Sequence, residues 1–201
     1  MNNFQNYLNE LRSKHKLYNL LVICENEDLT HNEHNILYED IYNLHYLCIK
    51  GKEIELIKEK IAKIAKDGNL NHYINPFGCN LLFFVNNTKV LELLISNGID
   101  IQKHSNTMVD FCFDETTPGT TAFHYACFYF HENAIHFFLK KLKDINLLDT
   151  DKCSPLGYLL INMDTHLESL SPSEEEEIFD RLRKEMEYKG ARNIYLDAEF
   201  N

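Results

Sequence analysis

A chain of 201 residues with 44% hydrophobic and 25% charged residues has an ordinary globular composition and is long enough for one large domain or two small ones. Folded compactly, a chain of this size buries roughly 70% of the surface its unfolded form exposes, so it needs neither metal nor disulfide to hold its core. The 20 Lys plus Arg stand against 31 Asp plus Glu, a formal charge of −11, which argues against nucleic acid as the main partner because phosphate neutralisation needs a basic face.

The N-terminus has no basic start followed by an apolar run. The longest early apolar stretch, Leu20 to Cys24, is too short for a signal core or a membrane span, so the expectation is a cytoplasmic protein with no membrane partner. The six cysteines are scattered without a C-x-x-C pair, which speaks for reduced, buried thiols rather than zinc or dithiol chemistry. Phe4, Leu8, Leu11, Tyr18, Leu21 and Val22 form an imperfect amphipathic pattern, and a polar stretch from Glu25 to Glu39 follows. Residues 1–35 therefore read as a helical cap.

Four units follow, over 36–74, 75–118, 119–151 and 152–195, with a tail at 196–201. In the first, Asn43-Leu44-His45-Tyr46-Leu47-Cys48 opens one helix and Glu53 to Ile64 supplies a second. In the second, Gly78-Cys79-Asn80-Leu81-Leu82-Phe83 opens the first helix. Lys89 to Ile95 forms the next, with only Asn86-Asn87-Thr88 as the turn between. Its exit runs through Gly98-Ile99-Asp100-Ile101, a glycine C-cap followed by extended chain. From Gln102 to Thr121 is nineteen residues, against eight for the matching stretch from Asn146 to Ser154. Eleven residues are therefore extra, near Met108 to Pro118.

The third unit is the clearest. Gly119-Thr120-Thr121-Ala122-Phe123-His124-Tyr125-Ala126-Cys127 starts it, Ala134 to Leu142 is its second helix, and Asp144-Ile145-Asn146 its exit. Ser154, 33 residues after Thr121, opens the fourth unit with Ser-Pro-Leu-Gly-Tyr-Leu. An insertion around Met163 to Pro172 separates its helices. Ser173 with Glu176 then forms a capping box ahead of Ile178, Leu182 and Met186, which share a face.

Thr121-Ala122-Phe123-His124-Tyr125-Ala126 and the 33-residue spacing resemble the ankyrin repeat, whose signature is T-P-L-H-x-A. Ala122 departs from it, and Phe123 stands for the leucine. The resemblance covers residues 36–195. It implies an all-α solenoid of stacked helix-turn-helix units with helical caps, in which neighbouring pairs bury a continuous core. It also implies that His45 and His124 bridge neighbouring backbones, and that partners bind the concave face through turn tips and exposed first-helix residues.

Chemistry finds little support. His31-x-x-His34 lacks a third ligand at fitting spacing and reads as polar cap. His124 and Cys127 could share a helix face as a nucleophile pair, but both occupy signature positions of the repeat. Asp149-Thr150-Asp151 sits where a turn carries acids and lacks the glycine and distal glutamate of a calcium loop. No phosphate-binding glycine loop occurs among only 7 glycines. The expectation is a non-enzymatic chain with no cofactor, no metal and no catalytic residues.

The candidate partner-binding residues are Met108, Phe111, Phe113, Asp114 and Glu115 on the long insert, with Phe128, Tyr129 and Ile161 on the first helices. Adjacent aromatics on a surface mark interfaces, and a solvated loop has no need of the insert's apolar residues. The competing reading is that the insert folds over these aromatics as a satellite core. Two function classes fit. One is an interaction module, such as a bacterial or viral effector acting in a host cytoplasm. The other is an inhibitor or immunity protein whose acidic charge suits a basic enzyme or toxin.

Overall fold

The computed structural model describes residues 44–45, 47–67, 70–72, 79–105, 119–166 and 172–194. Over these residues the chain is all-α, with no strand and one isolated antiparallel bridge between His104 and Thr121. A helical segment ends at residue 50. It is followed by α1 (Ile54–Asp67), a short 3-10 turn (Leu70–His72), α2 (Thr88–Ser96), α3 (Ala122–Phe128), α4 (Glu132–Lys141), α5 (Pro155–His166) and α6 (Pro172–Tyr188). Among the described residues no helix is long and apolar enough to cross a membrane.

The helices form two layers. In one, α1, α2, α4 and α6 lie side by side in chain order; in the other, α3 packs along α5. Contacts of α3 with α4 and of α5 with α6 join the layers. One continuous core runs between them, from Leu44, Ile57 and Ile61 through Leu81, Leu94, Phe123 and Phe138 to Leu159, Leu182 and Met186. Burying each such side chain contributes roughly 1.5–3 kcal/mol.

Local chemistry explains where the helices stop. After α2, Gly98 N–H donates to the Ile95 carbonyl and Ile99 N–H to that of Leu94, the paired pattern of a Schellman cap with Gly98 at φ +83°. After α6, Gly190 and Ala191 make the same two bonds, with φ +90° at the glycine. After α3 the pattern recurs with Phe130 and His131 as donors, but the left-handed residue is Phe130 itself, at φ +52°.

Side-chain bridges recur at matching places in different units. Asn71 donates to the Gly98 carbonyl at 3.0 Å and accepts the Asp100 N–H at 2.6 Å. Asn146 donates to the Gly190 carbonyl at 3.1 Å and accepts the Arg192 N–H at 2.7 Å. At the opening of two units, Asn80 and Ser154 each accept a backbone N–H just downstream. Each also donates to the exit carbonyl of its own unit, Asp100 at 2.8 Å and Arg192 at 2.7 Å.

Three expectations change. Leu81 to Phe84 is a run of turns, not a helix, with Phe84 at φ +68°. Only six residues lie between Asn80 and the cap residue Asn87, too few for two helical turns and a loop. Met163 to His166 continue α5 rather than looping, which leaves 167–171 between the last two helices. Ser173 lies inside the first turn of α6, which opens at Pro172, so it is not the cap. The N-terminal cap, His31 and His34, the insert from residue 106 to 118 and the tail all lie outside the described residues.

Candidate partner-binding surface

The insert leaves and rejoins the fold at one closed base. Ser105 N–H donates to the Thr120 carbonyl at 2.8 Å, Gly119 N–H to the Ser105 carbonyl at 3.1 Å, and the Ser105 and Thr120 hydroxyls meet at 2.8 Å. His104 Nδ1 also bonds the Gly119 carbonyl. Gly119 takes φ +88° and packs on the Thr150 backbone, so the base leans on the turn that leads into α5. Met108, Phe111, Phe113, Asp114 and Glu115 belong to the segment that this base brackets, and lie outside the described residues.

Phe128 and Tyr129 stand at the other end of α3, about 10 Å along a seven-residue helix. Both are half-buried rather than exposed, and so is Ile161 on α5. For Phe128 and Tyr129 the cause is a chain of rings. Phe128 meets Tyr129 edge-on at 5.1 Å and Tyr158 at 6.2 Å. Tyr129 stacks parallel to Tyr125 at 6.4 Å, and Phe84 lies 4.9 Å from Tyr125 and 6.2 Å from Tyr129. Such pairs contribute about 0.5–1.5 kcal/mol each beyond their buried area. Phe84, Tyr125 and Tyr158 had a signal in the sequence. Each sits four residues after its unit's opening Asn80, Thr121 or Ser154, so the aromatic recurs at one repeat position.

Polar groups around the rings are tied to the fold. Tyr158 donates to Asp149 Oδ2 at 2.7 Å, while Asp149 Oδ1 accepts the Cys153 N–H at 2.8 Å, which closes the turn at Thr150 and Asp151. Burial raises the Asp149 carboxyl above its ordinary range, and the Tyr158 hydroxyl pulls partly back. His124 accepts the Thr121 N–H on Nδ1 at 3.0 Å and directs Nε2 at the Cys153 carbonyl at 3.2 Å. That arrangement calls for the neutral ring protonated on Nε2, and burial depresses its pKa to about 3.

Cys127 turns its sulfur toward Met186, 4.0 Å away, and burial raises its thiol well above the ordinary range. The thiol and the imidazole therefore serve separate structural contacts. The four described cysteines are buried and form no disulfide with one another, and no three metal-ligating groups converge among the described residues. The chain matches no protein-family model and no curated protein sequence.

Proposed function

We propose that this chain is an ankyrin-type solenoid acting as a non-enzymatic interaction module, and that it binds a partner protein through its first-helix face and the long turn beside it. The observation that carries the reading is the face of α3 and α5. There Phe128, Tyr129, Tyr158 and Ile161, all half-buried, form an aromatic and aliphatic surface, beside which the Tyr158 hydroxyl is engaged by Asp149 and the His124 ring by the Cys153 carbonyl. Such a surface offers packing area and little chemistry, as the centre of an interface does. The matched bridges of Asn71 with Asn146 and of Asn80 with Ser154 support the repeat architecture. The charge of −11 favours a partner with a basic patch, and it also keeps a second reading open, an inhibitor or immunity protein that covers a basic enzyme.

The test is site-specific crosslinking in the native cell with a photoreactive residue at Phe128 or, as control, at Lys60 on α1. The expected result is one protein captured from position 128 and not from position 60. Equal capture at both positions, or none at 128, would overturn the reading. Loss of an enzymatic activity in the captured protein when this chain is added would select the inhibitor reading.

A further inference from the structure

The two asparagine clamps leave a gap in the middle of the molecule. Asn71 ties the first unit to the exit of the second, and Asn146 ties the third to the exit of the fourth. Between the second and third units the matching residue is Asp100. A carboxylate cannot donate to a carbonyl, and Asp100 instead accepts the N–H of Gln102 at 2.9 Å, within its own unit. The receiving side has changed with it. Gly98 and Gly190 present bare backbone to their clamps, whereas Asp144 takes the matching place in the third unit. Its own carboxylate caps the Asn146 N–H at 2.8 Å, the group an incoming clamp would need.

The other edge of the same junction is also altered. His124 reaches across to the Cys153 carbonyl between the third and fourth units, but the residue in the matching position of the second unit is Phe83. The middle junction keeps the packing of α2 on α4 within the common core, and with it the insert base, one bond from the Ala134 N–H to Asn86 Oδ1 at 3.1 Å, and the rings of Phe83, Phe84, Tyr125 and Tyr129. Ring contacts are less directional than an amide clamp and tolerate sliding. The two non-glycine residues flanking this junction in left-handed backbone, Phe84 and Phe130, add local strain on either side of it.

We infer that the molecule is built as two clamped pairs of units, and that the junction between Asp100 and Asp144 is a hinge at which the pairs part while each stays folded. The hinge is independent of the partner-binding reading. It coincides with the place where residues 106–118 leave the fold.

Native-state hydrogen exchange on the full chain in increasing urea tests it. Amides of α1 and α2 should lose protection at one urea concentration and those of α4 and α6 at another. A single shared midpoint would overturn the inference. The double variant Asp100→Asn with Asp144→Gly rebuilds the clamp. It should draw the two midpoints together by more than the two single variants do in sum, and simple additivity would count against a missing clamp. Should the double variant not fold, Asn146→Asp decides by removing a clamp that exists. Protection in α6 should then separate from that in α4, and unchanged protection in α6 would refute the role given to the clamps.

Discussion

At Phe130 a large aromatic occupies backbone that favours glycine. It closes α3 in the left-handed conformation that Gly98 and Gly190 adopt after α2 and α6. For a side chain with a Cβ this geometry costs roughly 1–2 kcal/mol. The offset is packing: the ring is half-buried and meets Phe179 edge-on at 6.2 Å. Phe130→Ala and Phe130→Gly both lose the ring, so their difference isolates the backbone. Glycine should be the more stable by about 1 kcal/mol, the reverse of its usual order against alanine inside helices and strands. Urea midpoints of the two variants decide the matter, and a more stable alanine variant would show that the left-handed turn relaxes without its cap. A second residue works through bonds instead of strain. His124→Ala removes the donor to the Cys153 carbonyl and the acceptor for the Thr121 N–H in a fully buried place. The loss should be roughly 1–3 kcal/mol, and an unchanged midpoint would mean that this bridge adds nothing to stability.

Among the elements, α2 is anchored at its start by one side chain. Asn87 Oδ1 accepts the N–H groups of Lys89 at 3.0 Å and Val90 at 3.3 Å, while its Nδ2 donates to the Gly51 carbonyl at 2.9 Å. The next residue back, Asn86, faces the other way and caps Ala134 at the start of α4. Two adjacent amides thus hold α2 to both neighbours. Asn87→Asp keeps the cap acceptor and loses the bridge, whereas Asn87→Ala loses both. Alanine should cost about 1–2 kcal/mol and aspartate a smaller part of that, read from thermal or urea unfolding. Equal losses would assign everything to the bridge. These asparagines also show where sequence reading stops. The second helices of the first three units and the openings at Thr121 and Ser154 were legible, because apolar spacing and cap chemistry act locally. The collapse of Leu81 to Phe84 into turns was not. The residues are apolar enough for a buried helix, and only the tertiary fit of a shortened unit forbids one. The clamps of Asn71 and Asn146 were equally hidden, since each depends on a backbone group 27 or 44 residues away. Of the candidate surface, Phe128 ends α3, Tyr129 follows it and Ile161 lies on α5, as the helix pattern suggests. The satellite-core reading makes burial of the aromatics the work of the insert; the rings that pack on Phe128 and Tyr129 come instead from three different units, which local sequence does not show.

At the scale of the whole molecule, two of the described histidines couple folding to pH. His45 in the first unit and His124 in the third are both buried. Burial lowers the pKa of His45 to about 4 and that of His124 to about 3, against an ordinary value of 6.5. The His124 ring meets the ring of Tyr158 edge-on at 5.1 Å, and the charge of His104 depresses its protonation further. The sign follows from which state takes up protons. Above the unfolded pKa of about 6.5 both states carry neutral rings and the histidines add no pH dependence. Below it the unfolded chain binds two protons that the folded chain refuses, until the pH reaches the folded values. Stability therefore falls with acid through that window, by about 1.4 kcal/mol per pH unit for each histidine once its unfolded form is fully charged. Asp149 acts in the opposite sense, because its raised carboxyl favours the folded state as the pH drops, but it is one group against two. Urea midpoints measured between about pH 7 and about pH 4.5 should fall steeply below about pH 6. His124→Gln keeps a hydrogen-bond donor without a titrating ring, so it should lower the midpoint at neutral pH yet lose roughly half of the acid slope. A variant that keeps the full slope would place the acid sensitivity in the carboxylates and not in the buried rings.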